Sequence, residues 1–99
     1  RAGDFAVAGV AGRIRQGIGD PKISDASLYA FGTGSTPLRL EGAEQLVQGE
    51  KPSPALFAEA ANEASAAVDT DFGDIHADGS YRAAVVGELT RRVLESASR

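Results

Sequence analysis

The chain has 99 residues, 42% hydrophobic and 24% charged, with a formal net charge of -4, values that fit one small soluble domain with a modest core. It has no Cys and a single His, which excludes disulfides, a thiolate nucleophile, iron–sulfur ligation and a metal site built on His76 alone. The acidic balance is the opposite of a nucleic-acid footprint, and no apolar run reaches membrane-spanning length. No Met occurs and the first residue is Arg1, so the expectation is a processed piece, or one domain of a larger protein.

In chain order, Phe5 to Arg15 alternates with a period of two, as a strand does. Phe5, Val7, Arg13 and Arg15 share one face, and Val10 and Ile14 the other. Gly9 and Gly12 interrupt this run, which predicts a bulge or a close approach of another element. Gln16 to Lys22 carries Gly17, Gly19 and Asp20-Pro21, a turn signal. Ile23 to Phe31 predicts a second strand, with Ala26, Leu28 and Ala30 opposed to Ser27, Tyr29 and Phe31. An antiparallel hairpin follows from the two. After a glycine-rich loop, Gly32 to Pro37, Leu38-Arg39-Leu40 is a short third strand. Glu41 to Gln48 reads as a short helix with Ala43, Leu46 and Val47 inward and Gly49 as its stop.

The second half changes to helical spacing. Ser53 followed by Pro54 is a start signal, a capping hydroxyl and then a residue with no N–H to satisfy. That helix runs to about Val68 with Phe57, Ala61, Ala64 and Val68 on its stripe. Asp69 to Gly79 is an acidic loop. Ser80 is the expected cap of a last helix to about Ser96, with Tyr81, Val85, Leu89 and Val93 buried and Glu88 paired with Arg91 or Arg92. On that stripe, Leu89→Ala is expected to cost about 2–5 kcal/mol. Strands followed by helices define an α+β fold, a small antiparallel sheet covered on one face by three helices, in a single domain spanning residues 1–99.

Local motifs for chemistry are sparse. The Gly32–Pro37 loop lacks the Lys of a phosphate-binding loop, and a tight sheet-to-helix connection explains it better. Asp69, Asp71, Asp74 and Asp78 miss the calcium-loop spacing and its closing Glu. His76 reads as a surface residue. Pairing it with Ser35 or Ser80 finds no supporting nucleophile motif, so no catalytic residue and no metal ligand is expected from this chain alone.

Four stretches carry a resemblance beyond this. They are Gly3-Asp4-Phe5-Ala6, then Leu28 to Arg39 (Leu-Tyr-Ala-Phe-Gly-Thr-Gly-Ser-Thr-Pro-Leu-Arg), then Ala43-Glu44-Gln45-Leu46-Val47 with Gly49 after it, and finally Asp74 to Arg82 with Arg91-Arg92-Val93-Leu94. In this order they resemble the C-terminal domain of the FAD-binding medium subunit of the molybdenum hydroxylase family, of the aerobic carbon monoxide dehydrogenase and xanthine dehydrogenase type. Two details depart from its pattern: Ala77-Asp78-Gly79-Ser80 stands before Tyr81-Arg82, and Ser35 stands where the family often has Pro.

The resemblance implies a cytoplasmic oxidoreductase in which molybdopterin oxidises substrate, iron–sulfur clusters relay electrons, and FAD passes them on. FAD would be held mainly by preceding subdomains, with this domain covering the flavin and helping assembly. Its partners would be a molybdopterin large subunit and an iron–sulfur small subunit. By position, Asp4 and Phe5 resemble residues near the flavin ring. Core packing is the competing role for Phe5. The alternative for the whole chain is a non-catalytic interaction or assembly module without a flavin, since α+β sheets under a helical layer host many functions.

Overall fold

The computed structural model describes residues 9–32, 37–68 and 79–98. Three strands, β1 (Gly9–Gln16), β2 (Ile23–Phe31) and β3 (Leu38–Arg39), precede three helices, α1 (Glu41–Val47), α2 (Pro54–Ala67) and α3 (Gly79–Ala97). The sheet order is β1-β2-β3 and both pairings are antiparallel. The α+β architecture expected from the sequence is present.

The β1–β2 hairpin pairs Val10 with Ala30, Gly12 with Leu28 and Ile14 with Ala26. These residues form the inner face, and Ala26, Leu28 and Ala30 are buried. Gly12 shows why a glycine interrupts the strand. A Cβ there would overlap the Leu28 side chain and come within 3.2 Å of Cγ1 of Val93, so its absence lets α3 sit against β1. The irregularity in pairing falls elsewhere, between Arg15 and Gln16. The connecting turn closes through the Asp20 N–H to the Gly17 carbonyl at 3.1 Å, and the Asp20 carboxylate accepts from the Lys22 N–H at 3.0 Å.

Each helix starts or stops for a local reason. At α2, the Ser53 hydroxyl accepts from the Leu56 N–H at 3.0 Å, with Pro54 as the first helical residue. Its side chain thereby satisfies one of the amides that a helix start leaves unpaired. After α1, Gly49 has φ +83°, a conformation that favours glycine. The chain then turns back so that the Gly49 N–H donates to the Ile23 carbonyl at 2.6 Å and the Ile23 N–H to the Glu50 carbonyl at 2.9 Å. The start of β2 is thus paired by the segment that follows α1. α3 begins at Gly79, which places Ser80 inside its first turn and not at the capping position.

The helices do not all lie on the sheet. α1 packs on β2 and α3 packs on β1, while α2 bears chiefly on α1 and α3. α2 therefore bridges the two sheet-contacting helices, where the sequence suggested that it covers the sheet itself. Its buried residues are Phe57, Ala60 and Ala64; Ala61, expected inside, is only half-buried.

α3 is rotated relative to its expected stripe. Ala83, Val86, Thr90 and Leu94 are buried, Val85, Leu89 and Val93 are half-buried, and Tyr81 is 55% exposed. At about 100° per residue, the buried arc is centred near Ala83 and Thr90. Val93 lies toward β1, and Gly87 approaches the Ala61 carbonyl and Ser65 of α2. A helix wedged between a sheet and another helix buries the bisector of its two contacts, and small residues can occupy that line. Thr90 satisfies its buried hydroxyl by donating to the Val86 carbonyl at 2.7 Å.

Candidate functional site

Of the residues singled out in the sequence, Asp4, Phe5, Ser35, His76 and the four aspartates of the acidic loop lie outside the described residues. Among the described residues no group of three His, Cys, Asp or Glu side chains is placed to hold a metal ion, and no helix is long and apolar enough to cross a membrane. A shallow groove between α2 and α3 is lined by Ala61, Asn62, Ser65, Ala84, Gly87 and Glu88. It offers one ionisable group and no acid–base pair.

The chemistry-bearing arrangement is at the edge and outer face of the sheet. β3 is only two residues long and pairs with Tyr29 and Ala30. Beyond it, the Leu40 N–H donates to the Leu28 carbonyl at 2.8 Å. The Leu28 N–H then meets a side chain: Oε2 of Glu44, at 2.8 Å. Glu44 is buried on α1, so its carboxylate stands where a longer third strand would have supplied a carbonyl. A buried carboxylate requires a partner. Arg39 provides it, its Nε lying 3.1 Å from Oε1 and 3.2 Å from Oε2 of Glu44.

The hydrogen bond to Glu44, and then the Coulombic attraction between the two charges, holds the Arg39 guanidinium above its ordinary pKa. Half of the Arg39 side chain remains exposed, 52% against 4% for Glu44. Its two terminal nitrogens make no hydrogen bond among the described residues.

Around it the outer face carries Tyr29, directly opposite Arg39, and Phe31, with exposures of 39% and 43%. On β1, Arg13 and Arg15 are exposed and oppose Ser27 and Asp25. Sequence reading placed Tyr29 and Phe31 on this face correctly, but it missed the Glu44–Arg39 pair. The available signal was an acidic residue at position 44, between the inward positions Ala43 and Val47. A carboxylate there is either solvated or held, and only the fold shows which.

This architecture, a three-stranded antiparallel sheet with α1 and α3 on its inner face and α2 across them, defines the class of domain. The chain belongs to the family described as CO dehydrogenase flavoprotein C-terminal domain, which matches residues 1–97. A carbon monoxide dehydrogenase from Hydrogenophaga pseudoflava, in a form lacking the Mo-pyranopterin moiety of the molybdenum cofactor, is similar in structure. It has a TM-score of 0.86 at 28% identity, over 98% of this chain and 33% of that one. Quinoline 2-oxidoreductase from Pseudomonas putida 86 shares the fold with a TM-score of 0.83 at 22% identity, over 99% of this chain and 33% of that one. Reconstituted CO dehydrogenase from Oligotropha carboxidovorans shares it with a TM-score of 0.69 at 24% identity, over 92% of this chain and 37% of that one. The chain thus spans about a third of the length of these solved chains. No curated protein matches its sequence.

Proposed function

We propose that this chain is the C-terminal domain of the FAD-binding subunit of a molybdopterin-dependent oxidoreductase of the carbon monoxide or xanthine dehydrogenase type. In this reading it covers the flavin and contributes to subunit assembly while electrons pass from iron–sulfur clusters to FAD. It works in the cytoplasm beside a molybdopterin-bearing large subunit and an iron–sulfur small subunit. The observation that carries the reading is the family match, which extends over residues 1–97.

Among the described residues, the start of α2 is no cradle for FAD. A dinucleotide's pyrophosphate needs several free backbone N–H groups, commonly at a helix start after a glycine turn. At the start of α2, Ser53 already takes the Leu56 N–H and Pro54 has none to offer. No Cys exists to ligate an iron–sulfur cluster. No electron-transfer step is therefore assigned to side chains of this domain. Asp4 and Phe5 are its proposed contacts near the ring.

The test uses the full reading frame that encodes this chain. Expressed with its neighbouring coding sequences, it should purify with FAD, and Phe5→Ala should alter the flavin's fluorescence or reduction potential without releasing it. A free-standing frame with no flavin in the purified product would overturn the reading in favour of an interaction module.

A further inference from the structure

One stretch of chain closes the edge of β2 that faces away from β1. Leu38 and Arg39 pair with Ala30 and Tyr29, and the Leu40 N–H donates to the Leu28 carbonyl. Further on, the Ile23 N–H donates to the Glu50 carbonyl and the Ile23 carbonyl accepts from the Gly49 N–H. Partners therefore run from Ala30 back to Ile23 as the chain advances, the order of one antiparallel strand from which α1 loops out. Between the two ends, Oε2 of Glu44 takes the Leu28 N–H at 2.8 Å. Residues 38–50 form a strap across the edge, and Glu44 is its central pin.

Little else holds the first part of the strap. β3 has two residues and α1 has seven, too short for a helix to persist without packing. Its buried apolar side chains are Leu40, Ala43 and Val47, whereas the other buried apolar residues lie on β2, on α2 with its cap Val68, and on α3. The hairpin, α2 and α3 thus keep most of the described core without it. The pin itself is conditional. The Glu44 carboxylate is buried, and both its oxygens lie on Nε of Arg39. Taking that cation away leaves a buried charge uncompensated, the costly way to break such a pair. Arg39 is half-exposed, so it returns to water easily.

We propose that the Arg39–Glu44 pair is the lock of this strap. Closed, it seats residues 38–47 on β2. Opened, it releases them as a unit while the β1–β2 hairpin, α2 and α3 stay folded, a local opening of the kind that precedes global unfolding. The lock does not depend on the flavin-subunit reading.

Hydrogen exchange tests it, read amide by amide by mass spectrometry on the product of the full reading frame that encodes this chain. Arg39→Leu should speed exchange about tenfold or more at the amides of Leu28, Leu40 and Glu44, with those of β1, α2 and α3 unchanged. Adding Glu44→Gln removes the stranded charge and keeps an oxygen for the Leu28 N–H. The double variant should therefore regain most of the protection that Arg39→Leu loses, which a simple sum of lost contacts would not do. Unchanged exchange at the three amides in Arg39→Leu would overturn the proposal. So would exchange that rises equally throughout the chain, or a double variant that exchanges as fast as Arg39→Leu.

Discussion

Leu94 and Leu89 lie five residues apart on one helix and differ sharply in what they hold. Leu94 is fully buried, whereas Leu89 is half-buried. The cost of truncating a leucine combines lost transfer energy with the cavity left behind, and a half-exposed site opens to solvent in place of leaving a void. Leu94→Ala is therefore expected to cost about 2–5 kcal/mol, and Leu89→Ala on the order of 1 kcal/mol. Denaturant melts of the two variants would show it; equal losses would contradict the rotated stripe. Position 89 shows the limit of reading periodicity by residue size. A line through the largest apolar side chains passed over Ala83, Val86 and Thr90, which are buried because neighbours approach from two sides. Glu44 is the same lesson for a polar residue. Its sequence neighbours announce an inward position, but only the paired Leu28 N–H and Arg39 explain why a carboxylate occupies it.

At the scale of elements, the sequence carried the signals that act locally. Ser53-Pro54 starts α2 and Gly49 ends the α1 turn through hydrogen bonds to residues nearby in the chain or paired with it. The surface of α3 was also legible. Glu88 accepts from Arg91 and Arg92, at 2.5 Å and 2.8 Å, and Arg91 reaches Glu95 at 2.8 Å. These are neighbours three and four residues apart on a helix. The hydrogen bonds to Arg91 and Arg92 lower the Glu88 carboxyl from 4.5 to about 2. A carboxylate depressed in the folded state adds stability above its unfolded value and loses it as pH falls through the folded one. The contribution is thus present at neutral pH and fades between about 4.5 and about 2. Because the side chains are substantially exposed, added salt should shrink it. Carbon-detected titration of the Glu88 carboxyl checks this: a midpoint at 4 or above in low salt would show that the network does not persist in solution.

For the whole molecule, the expectation is that the isolated chain neither binds FAD tightly nor catalyses redox chemistry. One aromatic contact with a flavin edge contributes on the order of 1 kcal/mol, far below the roughly 8 kcal/mol of micromolar binding. Titrating the purified chain with FAD and following flavin fluorescence tests this. Micromolar or tighter binding would mean that the Gly32–Pro37 loop holds phosphate after all, and that the domain does more than cover.

What the sequence determined by itself was the kind and order of elements, their antiparallel hairpin and the α+β class. These follow from alternation, helical spacing and turn residues, all short-range properties written along the chain. The stretches from Leu28 to Arg39 and from Ala43 to Gly49 also carried the family. Tertiary structure alone decided that α2 bridges α1 and α3 without covering the sheet, that α3 buries its small-residue line, and that Glu44 completes the short edge of β2 and fixes Arg39 at the open face. These outcomes depend on which surfaces meet. A residue's burial and its partner are set by elements distant in sequence, and no local pattern encodes the angle at which they pack.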